Sequence, residues 1–221
     1  MNEDPDVPTI PLGFAALSPE ASRARAEAFY DVMRTRRSVR HFSRDPIDLD
    51  AVRRCVAAAA TAPSGANKQP WSFVMITDPA IKRRVREAAE AEERQFYGGR
   101  APQRWLDDLR PFGTDANKPF LEDAPCLLAV FARRHGDTSD ARNYYVQESV
   151  GIAVGMLLAG LHHAGFATLT HTPSPMAFLA EILARPSAER AFLLIPVGLP
   201  AEGCEVPDIA RRPLSEVLFE V

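Results

Sequence analysis

Three arginines and a serine fall within five positions, Arg36-Arg37-Ser38-Val39-Arg40. Guanidinium groups are planar forks that grip phosphate oxygens in pairs, which a lysine cannot do. The same arginines close a helix that starts after Ser18, so they also suit the negative end of its dipole. The residues alone leave both readings open. A second feature is the break Pro63-Ser64-Gly65-Ala66, an ordinary turn by composition or one whose N–H groups face a ligand. A third is Thr168-Leu169-Thr170-His171-Thr172-Pro173, where a strand ends in hydroxyls. Alternating threonines also simply favour strands.

Other machinery is missing. No G-x-G-x-x-G follows a strand, and there is no Walker-type loop. No H-E-x-x-H or paired C-x-x-C offers ligands, so no metal is expected. Ser64 sits in A-P-S-G-A, which lacks the first glycine of a nucleophile elbow, and nothing else suggests a hydrolase. His162 and His163 are neighbours on a helix and point to different sides.

These residues need elements to position them. Ser18-Pro19 caps a helix to about Arg36, with Ala26, Phe29, Tyr30 and Met33 on one face. Asp48 caps a second helix, Leu49 to about Thr61. Trp71 to Thr77 reads as a strand, and Asp78-Pro79 starts a charged helix reaching about Phe96. Glu93 lies on that helix, whose charge run also suits a solvated face. From Gly98 to Pro125 the pattern dissolves into glycine, proline and mixed charge, the composition of a lid or binding loop over about 90–120. Cys126 to Phe131 is a strand. Asn143 to His163 is a long apolar helix whose Gly151 and Gly155 admit another backbone, placing it centrally or at a subunit interface. Gly165 fits its C′ position. Phe166 to Thr170 and Phe192 to Val197 are further strands, and Met176 to Ala184 a short helix. Without strict alternation of strand and helix, the expected class is α+β, in one domain of residues 1–221.

Composition narrows the function classes. Of 221 residues, 46% are hydrophobic and 25% charged, which excludes a disordered chain. A net charge of -3 argues against nucleic acid as a partner. No apolar run approaches the ~20 residues that span a bilayer. The first seventeen residues hold three acids, three prolines and no base, an irregular arm unlike a signal peptide. Three scattered cysteines make no disulfide frame. A soluble, cytoplasmic protein is expected.

Taken together, R-R-S-V-R, A-P-S-G-A with P-W-S-F, the long glycine-bearing helix and a late P-D-x-x-R-x-P-L resemble the nitroreductase superfamily of FMN enzymes. The similarity runs from about Phe29 to the C-terminus and is greatest to the iodotyrosine deiodinase branch. It implies a nitroreductase-like fold, a central mixed sheet flanked by helices, in an intertwined homodimer with FMN at the interface. On that resemblance, Arg36, Arg37, Ser38 and Arg40 hold the flavin phosphate, ribityl chain and pyrimidine side, and Arg211 returns to the phosphate. Pro63, Ser64 and Gly65 come from the other subunit. Thr170 and Thr172 approach the isoalloxazine, with Thr172 near N5 as the catalytic residue. His171 stands where the family has a threonine.

Deiodinases read the zwitterion of a halotyrosine with a glutamate, a tyrosine four residues on and a lysine twenty-one further. Glu93, Tyr97 and Lys118 have those separations. Lys118 can pair the carboxylate and Glu93 the ammonium, with Tyr97 beside them. The Ala66 N–H is implied to meet the phenolate. The expected activity is FMN-dependent reductive dehalogenation of halogenated tyrosine, fed by an external electron donor such as an NAD(P)H-linked reductase. Three rivals stand beside it: a general nitro- or quinone-reductase, which shares the clamp, a flavin-fragmenting member similar to dimethylbenzimidazole synthase, which encloses FMN without an amino-acid lid, and a non-catalytic flavin-binding module.

Overall fold

The computed structural model describes residues 8–135 and 142–221, so residues 1–7 of the expected arm lie outside it. The chain divides into two compact units, up to Thr35 and Arg36–Val221. In the first, residues 8–18 are irregular and α1 spans Pro19–Arg34. The Ser18 hydroxyl accepts the Ala21 N–H at 3.2 Å, and Pro19 needs no partner in the first turn. α1 buries none of its residues. It stops two residues short of the expected end, so Arg34, not Arg36, occupies the last turn. Arg36 and Arg37 therefore lie beyond the helix, which weakens the dipole reading of the cluster.

The second unit runs α2 (Leu49–Ala59), β1 (Trp71–Ile76), α3 (Pro79–Gln95), α4 (Gln103–Leu109), α5 (Phe120–Asp123), β2 (Cys126–Arg133), α6 (Val146–His163), β3 (Ala167–Thr168), α7 (Ala177–Ile182) and β4 (Glu189–Gly198). The four strands form one sheet in the order β1-β2-β4-β3. Its strand pairs are all antiparallel, and one isolated parallel bridge joins Ser38 to Thr168. The sheet is therefore antiparallel and not mixed as expected, since the parallel contact comes from a single residue pair and forms no strand. That bridge nevertheless matters functionally. It docks the arginine cluster on the strand that leads to Thr170 and Thr172, with the Val39 N–H bonded to the Thr168 carbonyl at 3.0 Å.

β2 explains why helices cover both sheet faces. It is apolar and buried until its last residue, Arg133. Cys126, Leu128, Val130 and Ala132 join a core with Val52, Cys55 and Ala59 of α2 and Val150, Ala153, Val154, Leu157 and Leu161 of α6. Leu127, Ala129 and Phe131 join another with Val85 and Ala89 of α3, Phe120 and Leu121 of α5 and Leu179 of α7. Successive strand residues point to opposite faces, so one strand anchors both layers.

Other boundaries shift for local reasons. α6 starts at Val146, because Tyr145 takes a left-handed conformation (φ 48°) that interrupts the helix. Gly165, at φ 86°, ends it as expected. β3 shortens to two residues. The lid contains a helix, α4, that its seven residues between Pro102 and Pro111 are too few to announce. Among the described residues, no helix is long and apolar enough to cross a membrane.

Candidate flavin clamp and substrate cavity

The arginine cluster opens into a concavity lined by Arg36, Arg37, Ser38, Arg40, Phe112, Pro207, Ile209 and Arg211. The segment after β4 folds back to complete it. Arg211 donates to the Arg36 carbonyl at 2.5 Å, and Arg37 donates to the Pro207 carbonyl. Burial, then the charges of Arg211 and Arg37, hold the Arg36 guanidinium below its usual value. Like charges repel at this range, and an anion among them turns repulsion into attraction. The donor set therefore fits a phosphate with bidentate forks. Burial also lowers Arg40, which lines both this concavity and the next.

The larger cavity encloses about 690 Å³ including its open mouth, a size suited to a small organic ligand. Glu93 comes from the end of α3, Tyr97 from the wide turn Phe96–Arg100, and Lys118 from the residues before α5. Lys118 Nζ meets Glu93 Oε2 at 3.2 Å, with the two side chains only 4% and 12% exposed. Lys118 Nζ also donates to Thr114 Oγ1 at 3.1 Å and to the Asp115 carbonyl. Its backbone N–H donates to Glu90 Oε1 at 2.8 Å. The Tyr97 hydroxyl reaches Thr114 Oγ1 at 3.5 Å, and burial raises it against that hydrogen bond. The three lid residues expected from the sequence thus share one cavity and one polar network.

The opposite wall carries Thr170, His171, Thr172 and Ser174. Thr170 and Thr172 are exposed while His171 is buried, the alternation of an extended chain. His171 is fixed through its backbone to Leu194 by bonds of 2.8 and 3.0 Å. Its ring meets Phe120 edge-on at 5.4 Å, and its Nε2 has no hydrogen-bond partner. Burial, then the charges of Lys118 and Arg40, push it down to about 3, so it is neutral.

Pro63, Ser64, Gly65 and Ala66 line neither cavity. The Ser64 hydroxyl accepts the Gln69 N–H at 2.9 Å. Ala66, Asn67 and Gln69 all hold left-handed φ values of 46–51°, strain of the kind that gathers at ligand contacts. A Cβ on Gly65 would lie 3.0 Å from the Tyr145 ring, so this turn is pressed against the start of α6. Sequence reasoning missed Phe96, Trp105, Leu109, Thr114, Phe120 and Ser174 on the cavity wall. Trp105 packs edge-on to Phe96 at 5.1 Å, and Thr114, four residues before Lys118, was the one with a readable spacing.

A sequence model of the nitroreductase family matches residues 33–199. Iodotyrosine deiodinase of Haliscomenobacter hydrossis is 52% identical over 95% of this chain and 96% of its own. Human iodotyrosine deiodinase 1 is 38% identical over 89% of this chain and 70% of its own. A crystal structure of oxidized iodotyrosine deiodinase bound to FMN and 3-iodo-L-tyrosine superposes with a TM-score of 0.73 at 32% identity. It covers 84% of this chain and 95% of that one.

Proposed function

We propose that this chain, which belongs to the nitroreductase family, catalyses FMN-dependent reductive dehalogenation of halogenated tyrosine, releasing halide and tyrosine. The observation that carries the reading is the network of Glu93, Tyr97 and Lys118 facing the Thr170–Thr172 wall across one cavity. A general reductase of nitroaromatics or quinones needs no paired acid and base there.

Arg36, Arg37, Ser38, Arg40 and Arg211 hold the flavin, with the arginine forks on its phosphate. When bound, FMN supplies the two electrons that, with one proton, exchange the carbon–halogen bond for carbon–hydrogen and free halide. Lys118 takes the substrate carboxylate and Glu93 its ammonium, so the zwitterion bridges a pair that is otherwise closed on itself. Tyr97 donates beside them. Phe96, Trp105 and Leu109 cover the cavity and exclude water. Thr172 would present its hydroxyl to flavin N5. The Ala66 N–H, held by its left-handed backbone on a turn outside this chain's own cavity, would meet the phenolate in the other subunit's site.

The active form is a homodimer in which Pro63, Ser64 and Gly65 serve the other subunit's flavin. Two observations support this: the turn lies outside the clamp, and α6 exposes Gly151, Ile152, Gly155 and Met156. Electrons come from an external donor such as an NAD(P)H-linked reductase. Three unpaired thiols, Cys55, Cys126 and Cys204, suit the reducing cytoplasm. The test is an anaerobic single turnover of the reduced protein with iodo-, bromo- and chlorotyrosine. Halide release with tyrosine formation is expected, and nitroaromatic turnover with no halotyrosine turnover would replace this reading by the general reductase.

A further inference from the structure

The Arg100 side chain ties the two walls of the substrate cavity together. It closes the wide turn Phe96–Arg100, which Gly99 permits with a φ of 135° and the Ala101 N–H seals to the Phe96 carbonyl at 3.0 Å. Its guanidinium then folds back. One nitrogen donates to Glu92 Oε2 at 2.8 Å and lies 3.4 Å from Gln95 Oε1. The other donates to the Glu92 carbonyl at 3.0 Å and to the Ser174 carbonyl. Glu92 precedes Glu93, and Tyr97 lies within the turn itself. Ser174 lies two residues beyond Thr172.

We propose that Arg100 is a positioning residue that couples recognition of the amino-acid end of the substrate to the placement of Thr172. The inference rests on the halotyrosine reading above and adds a residue that touches neither substrate nor flavin. A planar fork fixes the geometry of its donors, so that the Glu92 carboxylate and the Ser174 carbonyl are held at a set separation, whereas an ammonium is a compact charge whose donors rotate on a flexible stem. Bonds from a charged donor are the stronger ones, so ordering the lid through Glu93 and Lys118 also orders the loop after Thr172. The Arg100 side chain is 38% exposed, so replacing it disturbs no core contact.

The test is hydrogen exchange on the FMN-loaded protein, with and without 3-iodotyrosine. In the wild type, iodotyrosine should slow exchange both in the lid, residues 93–118, and in the loop, residues 170–176. In Arg100→Gln the lid should still be protected while the loop exchanges about tenfold faster than in wild type. Halotyrosine KM should stay within about twofold and kcat fall about tenfold, with Arg100→Lys between the two proteins. Full loop protection in Arg100→Gln would overturn the coupling. Loss of lid and loop protection together would also overturn it, since Arg100 would then only support the lid. A wild-type protein that iodotyrosine leaves unprotected in both segments would overturn the halotyrosine reading itself, and the coupling with it.

Discussion

Lys118 and Glu93 face each other at 3.2 Å inside a cavity that leaves both nearly sealed from water. Such a pair is costly to break from one side, because the remaining charge is stranded in a poor dielectric. A ligand carrying both charges can open the pair without stranding either member. That is the property of an amino-acid zwitterion and not of a phenol. Binding energy from the remote end then helps to close and orient the reacting end. The expected result is efficient dehalogenation of iodotyrosine and poor turnover of 2-iodophenol. Lys118→Ala and Glu93→Gln should each shrink that preference by about ten- to a hundredfold, the worth of a charge-assisted bond. Equal kcat/KM for the two substrates in the wild type would show that the pair is a structural salt bridge only.

Arg36 stands among like charges, so its removal should act oppositely on the two forms of the protein. Without flavin, Arg36→Ala relieves repulsion from Arg37 and Arg211 and leaves the Tm equal or raised. With flavin, it deletes a phosphate contact of about 1.5–3 kcal/mol, roughly ten- to a hundredfold in FMN affinity. Thermal melts and fluorescence titration measure the two effects separately. An unchanged FMN dissociation constant would mean that the cluster binds something else.

Thr172 is exposed at the cavity wall, whereas the backbone of His171 beside it is bonded on both sides to Leu194. The hydroxyl is therefore presented from a fixed position. Thr172→Ala should shift bound flavin from one-electron towards two-electron reduction in a reductive titration, and raise nitroreductase activity as halotyrosine turnover falls. A titration identical to that of the wild type would remove Thr172 from the role of tuning the flavin.

The exposed stripe of α6 gives a test of assembly. A Cβ on Gly155 would meet nothing within 4 Å inside the chain. Arginine there even improves helix propensity by about 0.5–1 kcal/mol. If the proposed homodimer packs through this stripe, Gly155→Arg should nevertheless give a monomer that loses FMN, because the cost falls on a second copy. Sedimentation with flavin absorbance decides the point, and a yellow dimer in the variant would place the interface elsewhere.

Sequence was most informative where periodicity is long or chemistry is crowded. β2 and α6 announce themselves by apolar pattern, α3 by its Asp78-Pro79 start, and Arg36 to Arg40 by density of charge. The lid was legible as irregular but not as α4, since seven residues between prolines carry too little periodicity. Spacing along the chain picked out Glu93, Tyr97 and Lys118 only through a resemblance, because residues 25 apart meet by tertiary folding alone. Trp105 and Phe96 looked like any lid aromatics until their contact brought them to the cavity. Arg100 was hidden for the same reason, as its partner Ser174 lies 74 residues away.

His171 gives the sharpest pH dependence. Its unfolded value near 6.5 drops to about 3 in the folded protein, chiefly through burial and then through Lys118 and Arg40. Between those limits the unfolded chain binds a proton that the folded one refuses. The site therefore contributes its full stability above about pH 6.5, and that contribution is lost as pH falls towards 3. At about 1.4 kcal/mol per unit, the loss between pH 6.5 and 4.5 is about 2–3 kcal/mol. His171→Phe keeps an aromatic edge against Phe120 while removing both the titration and the unpaired Nε2. The variant should be at least as stable as wild type at pH 7 and lose less stability on going to pH 4.5. Carboxylates such as Glu90 and Glu189 also lose stabilising bonds in acid, but they do so equally in both proteins. Urea denaturation at the two pH values isolates the difference. The same acid loss in wild type and variant would mean that the imidazole does not stay neutral in the fold.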